Sequence, residues 1–114
     1  MSVFKNDPFG VVYEAFCNIY PDRDMKLLSI EWVEGLKDDD EHDVCGCTTF
    51  TDNDECYVYV SADIPVSGAV ETLAHELAHV AVGERAQHGP EWEKAFDQIY
   101  NEYNRIMEFD LLDE

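Results

Sequence analysis

No feature constrains this chain more than the run His75-Glu76-Leu77-Ala78-His79. Two histidines four residues apart lie one above the other only if the backbone between them is helical, and then both imidazoles can reach one metal ion. Glu76 follows the first histidine and can serve as general base toward a metal-held water. Around these residues Val70, Leu73, Ala74, Leu77, Val80 and Ala81 recur at helical spacing. The helix is therefore expected to bury that stripe and to carry His75, Glu76 and His79, beside Thr72, largely off it. A solvated helix face with two surface histidines is the plain alternative.

A catalytic zinc usually takes three protein ligands and keeps a fourth position for water, so one more donor is needed. His88 is the first candidate, because three of the four histidines fall in this short stretch. Gly83 can end the motif helix, the segment Val82 to Gln87 can turn the chain back, and Gly89-Pro90 can open the next helix with proline in its first turn. Competing donors are Glu84 in the connection and Glu91 or Glu93 at the start of the last helix, where acids are favoured even without a metal.

The spacing separates kinds of zinc peptidase. A metzincin would need glycine at position 82 and histidine at 85, where this chain has Val82 and Arg85. The two motifs His75-Glu76-x-x-His79 and His88-Gly89-Pro90-Glu91-Trp92 instead resemble the SprT-like family, which includes the Spartan-type proteases. The likeness covers roughly Tyr57 to Tyr103. It implies a small zincin-like α+β fold, zinc as cofactor, His75, His79 and His88 as its ligands, Glu76 as catalytic base, and hydrolysis of peptide bonds. The chain is also similar to the small stand-alone SprT-like proteins often encoded by bacteriophages, which would place it in a host cytoplasm.

With 114 residues, 46% of them hydrophobic, the chain is read as one domain, residues 1–114, with a single core. Apolar residues at 9, 12, 13, 16, 19 and 20 predict a helix over Pro8–Tyr20. Leu27–Val33 alternates and predicts a first strand, with Leu28, Ile30 and Trp32 on one face. Val44–Thr51 and Cys56–Ser61 flank the turn signal Asp52-Asn53-Asp54-Glu55 and predict a hairpin. Pro65 and Ser67 lead into the motif helix, and Trp92, Ala95, Phe96, Ile99, Tyr103, Ile106 and Met107 stripe a closing one. The expected architecture is α+β: an N-terminal helix, a three-stranded antiparallel sheet, the motif helix and a closing helix. In zincin-type proteases generally, an edge strand beside the motif helix receives substrate in extended form; here Cys56–Ser61 or its hairpin partner is the candidate, with Tyr57 and Tyr59 on one face as candidate cleft residues. No spacing singles out an oxyanion donor, for which Arg85 and the tyrosines are the available groups.

Cys17, Cys45, Cys47 and Cys56 lack the spacing of a zinc knuckle, and no secretory signal is seen at the start, so they are read as reduced, buried or half-buried thiols. No apolar run is long enough for a membrane span, and a soluble cytoplasmic protein is expected. Twenty-six acids against seven Lys and Arg give a net charge of −19. From Asp38 to Ile64 there are nine acids and no Lys or Arg. Such a surface repels phosphate, so autonomous nucleic-acid binding is not expected. The acids act either as a solubilising face or as a steering field for basic polypeptide substrates. Asp38–Asp43 lacks the glycine-turn spacing of an EF-hand loop. Two other classes stay open: an acidic binding protein, such as a DNA mimic, built on the zinc-stabilised fold, and a zinc-stabilised accessory protein without turnover.

Overall fold

The computed structural model describes residues 7–23, 25–84 and 88–112, the last four by backbone alone. Helix α1 spans Pro8–Ile19. Asp7 caps it, its carboxylate accepting from the Phe9 and Gly10 amides at 3.1 and 3.2 Å, and Pro8 opens the first turn. Strands β1 (Leu27–Val33), β2 (Gly46–Phe50) and β3 (Glu55–Ser61) follow. Helices α2 (Val66–Val82) and α3 (Pro90–Leu112) complete the described fold. The connection at 85–87, including Arg85, lies outside the described residues.

The sheet corrects the expected antiparallel arrangement. Its order is β1-β3-β2, with β2 antiparallel to β3 but β1 parallel to it. The hairpin forms as predicted: the Thr51 amide donates to the Glu55 carbonyl at 3.0 Å, and Asp54 takes a positive φ of 61° to close the turn. The residues from 34 to 45 carry the chain across about two strand spacings, roughly 10 Å, leaving a slot into which β3 returns. That slot suits the most apolar strand. Cys56, Val58 and Val60 are each 2% exposed or less and point at the helices, whereas Tyr57 and Tyr59 take the opposite face. The tyrosines therefore do not line the cleft described below, and β3 is not an edge. The free edge beside α2 belongs to β2.

Register carries the helix-facing set across the sheet. Leu28, Ile30 and Trp32 of β1 stand opposite Cys56, Val58 and Val60, and Gly46, Thr48 and Phe50 of β2 oppose the same three. Leu28, Ile30 and Phe50 pack on the core, and Trp32 meets Phe9 of α1 at 4.3 Å between ring centroids. Helix α2 fills the centre: Leu73, Ala74, Leu77, Ala78 and Val80 are essentially inaccessible, packed with Val12, Ala15 and Phe16 of α1 and Ala95 and Ile99 of α3. Each fully buried aliphatic side chain here contributes roughly 1.5–3 kcal/mol relative to exposure. One face of α2 is thus anchored, and the opposite one is held against β2 and the start of α3.

All four cysteines are free; Cys56 is buried and Cys17 and Cys47 half-buried, but Cys45, just ahead of β2, is exposed and corrects the expectation for that residue. Burial pushes the Cys47 thiol up, with Glu76 and Asp39 adding to it. Among the described residues no helix is long and apolar enough to cross a membrane.

Candidate metal centre

The His75 and His79 side chains project from the last two turns of α2. Gly83 ends that helix with φ 90°, a conformation costly to any residue with a Cβ, while its amide still donates to the His79 carbonyl at 2.9 Å. His88 precedes α3, whose first residue is Pro90. The three imidazoles come together: His88 Nε2 lies 3.1 Å from His79 Nε2 and 3.2 Å from His75 Nε2. One nitrogen of each ring lies within 4.8 Å of the others. A single Nε2 on His88 cannot donate to one neighbour while accepting from the other, so hydrogen bonding among the rings leaves the cluster poorly satisfied. A shared cation fits it better. Tetrahedral coordination with metal–nitrogen bonds of about 2.0–2.1 Å sets ligand nitrogens about 3.3 Å apart, close to the spacings found.

Electrostatics point the same way. Burial pushes His75 and His79 below the usual histidine range, His79 to about 4, with neighbouring imidazoles adding to both shifts and Glu71 opposing that of His75. Both shifts favour neutral imidazole, the form that binds a metal. The possible metal site is therefore His75, His79 and His88. Glu84 lines the same cleft without joining the converging atoms, and Glu91 and Glu93 occupy the exposed first turn of α3. A second group of potential ligands, Asp38, Asp40 and His42, is exposed. There Asp38 Oδ1 already accepts from the Asp40 and His42 amides, both at 2.9 Å, and serves the loop.

Glu76 stands beside the histidines but outside their cluster. It is 5% exposed, and its Oε1 accepts a 2.7 Å hydrogen bond from the Thr48 hydroxyl on β2. Burial raises its pKa, and the Thr48 hydrogen bond partly offsets the rise. Gly46 packs against the same carboxylate: a Cβ at position 46 would stand 2.7 Å from Thr72 Cγ2, 3.0 Å from the Tyr59 carbonyl oxygen and 3.1 Å from Glu76 Oε2. Trp92 supports the other side. Its ring lies 4.6, 5.5 and 4.8 Å from those of His75, His79 and His88, and its Nε1 donates to the His75 carbonyl at 3.2 Å. Phe96 stacks behind Trp92 at 5.5 Å and 6°.

The histidines and Glu76 face a cleft of about 620 Å³ whose opposite wall is β2 from Gly46 to Phe50. A second cavity of about 420 Å³ lies between Cys45, Glu71, Thr72, Trp92 and Phe96, and it shares Gly46, His75 and Glu76 with the first. The site thus sits where two open depressions meet. Thr48, Gly46 and the propping role of Trp92 were not foreseen from the sequence; only Trp92 carried a signal, as the aromatic of the His-Gly-Pro-x-aromatic step. Comparison with models of known families, with curated proteins and with solved structures finds no match for this chain.

Proposed function

We propose that this protein is a zinc-dependent metallopeptidase of the SprT-like kind. One observation carries the reading: three imidazole nitrogens converge on one point, and a buried carboxylate, one residue along the same helix, stands beside them at the wall of an open cleft. A purely structural metal site has no use for that carboxylate. Zinc suits three imidazoles, and when bound it supplies polarisation of the scissile carbonyl and an acidified water.

Glu76 is the general base. With Oε1 occupied by Thr48, its other oxygen is left to take the proton and pass it to the leaving nitrogen. The raised pKa strengthens it as a base. Strand β2 is the surface on which an extended substrate would lie. The register and the Ser61-to-Cys45 and Thr51-to-Glu55 hydrogen bonds direct the backbone groups of Cys45, Cys47, Thr49 and Thr51 at β3, so those of Gly46, Thr48 and Phe50 point outward. An added strand would pair with those three residues. Basic or DNA-associated polypeptides are the favoured substrates, given the net charge of −19, and nucleic acid itself would be repelled.

That same charge is the one observation favouring a second reading, an acidic binding protein on a metal-stabilised fold. Elemental analysis of the purified protein, followed by a cleavage assay on unstructured basic and neutral proteins, tests both. One zinc per chain, with hydrolysis lost in Glu76→Gln while the zinc stays, supports the peptidase. Biological activity that survives Glu76→Gln, with no cleavage by the wild type, supports the binding protein.

A further inference from the structure

Glu76 is gripped from outside its own helix, and the grip comes from the strand that borders the cleft. We infer that Thr48 is a positioning residue for Glu76, holding one carboxylate oxygen so that the other stays directed at the reaction centre; this rests on the hydrolytic reading above. The Thr48 hydroxyl lies 2.7 Å from Oε1 and 3.4 Å from the Glu76 carbonyl oxygen, so it meets both ends of that residue. Packing alone does not call for a hydroxyl here. Thr48 is opposite Val58 on the apolar face of the sheet, where valine would fill the same volume with at least equal strand preference. What valine lacks is the donor.

Gly46 completes the arrangement. The space a side chain would take at 46 lies 3.1 Å from Oε2, the oxygen Thr48 does not use, and is bounded by Thr72 and the Tyr59 carbonyl. One oxygen is held and the other kept clear, by two residues of one strand. They are also two of the three whose main-chain groups point outward from the sheet. A peptide paired to Gly46 and Thr48 is therefore registered directly against the elements that orient the base. Strand β2 sets substrate register and base orientation together.

The test uses the zinc-loaded full chain with Thr48→Val, Thr48→Ser and Thr48→Ala, comparing zinc content, kcat and KM on an unstructured basic protein, and the Glu76 carboxylate in crystal structures. Thr48→Val should keep one zinc and a KM within about twofold, while kcat falls by about tenfold or more, the scale of a displaced catalytic group. Thr48→Ser should recover to within about threefold of wild type. The carboxylate should hold one orientation in wild type and Thr48→Ser and more than one in Thr48→Val. Thr48→Ala, which loses the hydroxyl without adding bulk, serves if the valine variant does not fold and should behave as predicted for it. Wild-type kcat in Thr48→Val or Thr48→Ala overturns the inference, as does failure of Thr48→Ser to recover. If wild type cleaves nothing, the hydrolytic reading falls by itself. The carboxylate orientations then decide the positioning claim, and a single shared orientation in all variants overturns it.

Discussion

Glu76 is costly to the fold that holds it. Burial raises its pKa above the unfolded value, so folding favours the protonated acid, and the cost of the ionised form appears as pH rises past the unfolded value near 4.5. An amide at this position keeps the Thr48 hydrogen bond and carries no charge. The metal-free Glu76→Gln protein should melt a few degrees above metal-free wild type at pH 8, with the difference shrinking toward pH 4. Equal melting at both pH values would mean that the carboxylate is solvated in solution. His75 and His79 work in the reverse direction. Their folded pKa values lie below the unfolded 6.5, so the unfolded chain binds more protons as pH drops, and the metal-free fold loses stability from about pH 6.5 toward about 4, where His79 protonates in place. Zinc release on acidification should accompany that loss. Thermal melts of metal-free wild type against His79→Gln across this range measure the histidine share, which should appear as a flatter slope in the variant.

At the scale of elements, helix α3 matters to the site through Trp92. Its Nε1 hydrogen bond to the His75 carbonyl and its ring against all three imidazoles tie the end of α2 and His88 to the start of α3. Trp92→Phe keeps the aromatic wall and removes the donor. Loss of such support around a metal ligand typically weakens binding by about 10–100-fold, and zinc affinity by competition with a chelator should fall toward the lower end of that range. His88→Ala should lose more; unchanged affinity there would turn attention to Glu84. Much of this architecture was readable beforehand, because it is local. The bounds Leu27–Val33 of β1 match the alternation, the hairpin turns within the Asp52-Asn53-Asp54-Glu55 signal with Glu55 already opening β3, and Gly83 ends the motif helix. Periodicity says which face of a strand is apolar but not which way the strand runs. The parallel pairing of β1 with β3 depends on the long path through residues 34–45 and left no mark in the pattern. Thr48 was silent for a related reason. A threonine in a strand is ordinary, and its partner is 28 residues away.

Across the whole molecule, the charge distribution bears on how a substrate arrives. The edge strand β2 is bracketed in the chain by acids: Asp38 to Asp43 before it and Asp52 to Glu55 after it, with Asp52 and Asp54 exposed. Lys37, paired with Asp43 at 2.6 Å, is about half exposed and offsets little of this charge. A basic polypeptide approaching β2 therefore meets a negative field at both ends of the surface it would pair with. Exposed charges are screened beyond about 8 Å at physiological salt, so steering of this kind weakens as ionic strength rises. Replacing Asp52, Asp54 and Glu55 with their amides should slow association with a basic substrate by about three- to tenfold at low salt, with much less effect at high salt and none on zinc content. Dissociation should change little, because the turn lies outside the cleft proposed for the substrate. Stopped-flow association measured at two salt concentrations separates the cases. A rate unaffected by both the substitutions and the salt would leave these acids with solubility alone, and measurable binding of duplex DNA at physiological salt would overturn the electrostatic picture altogether.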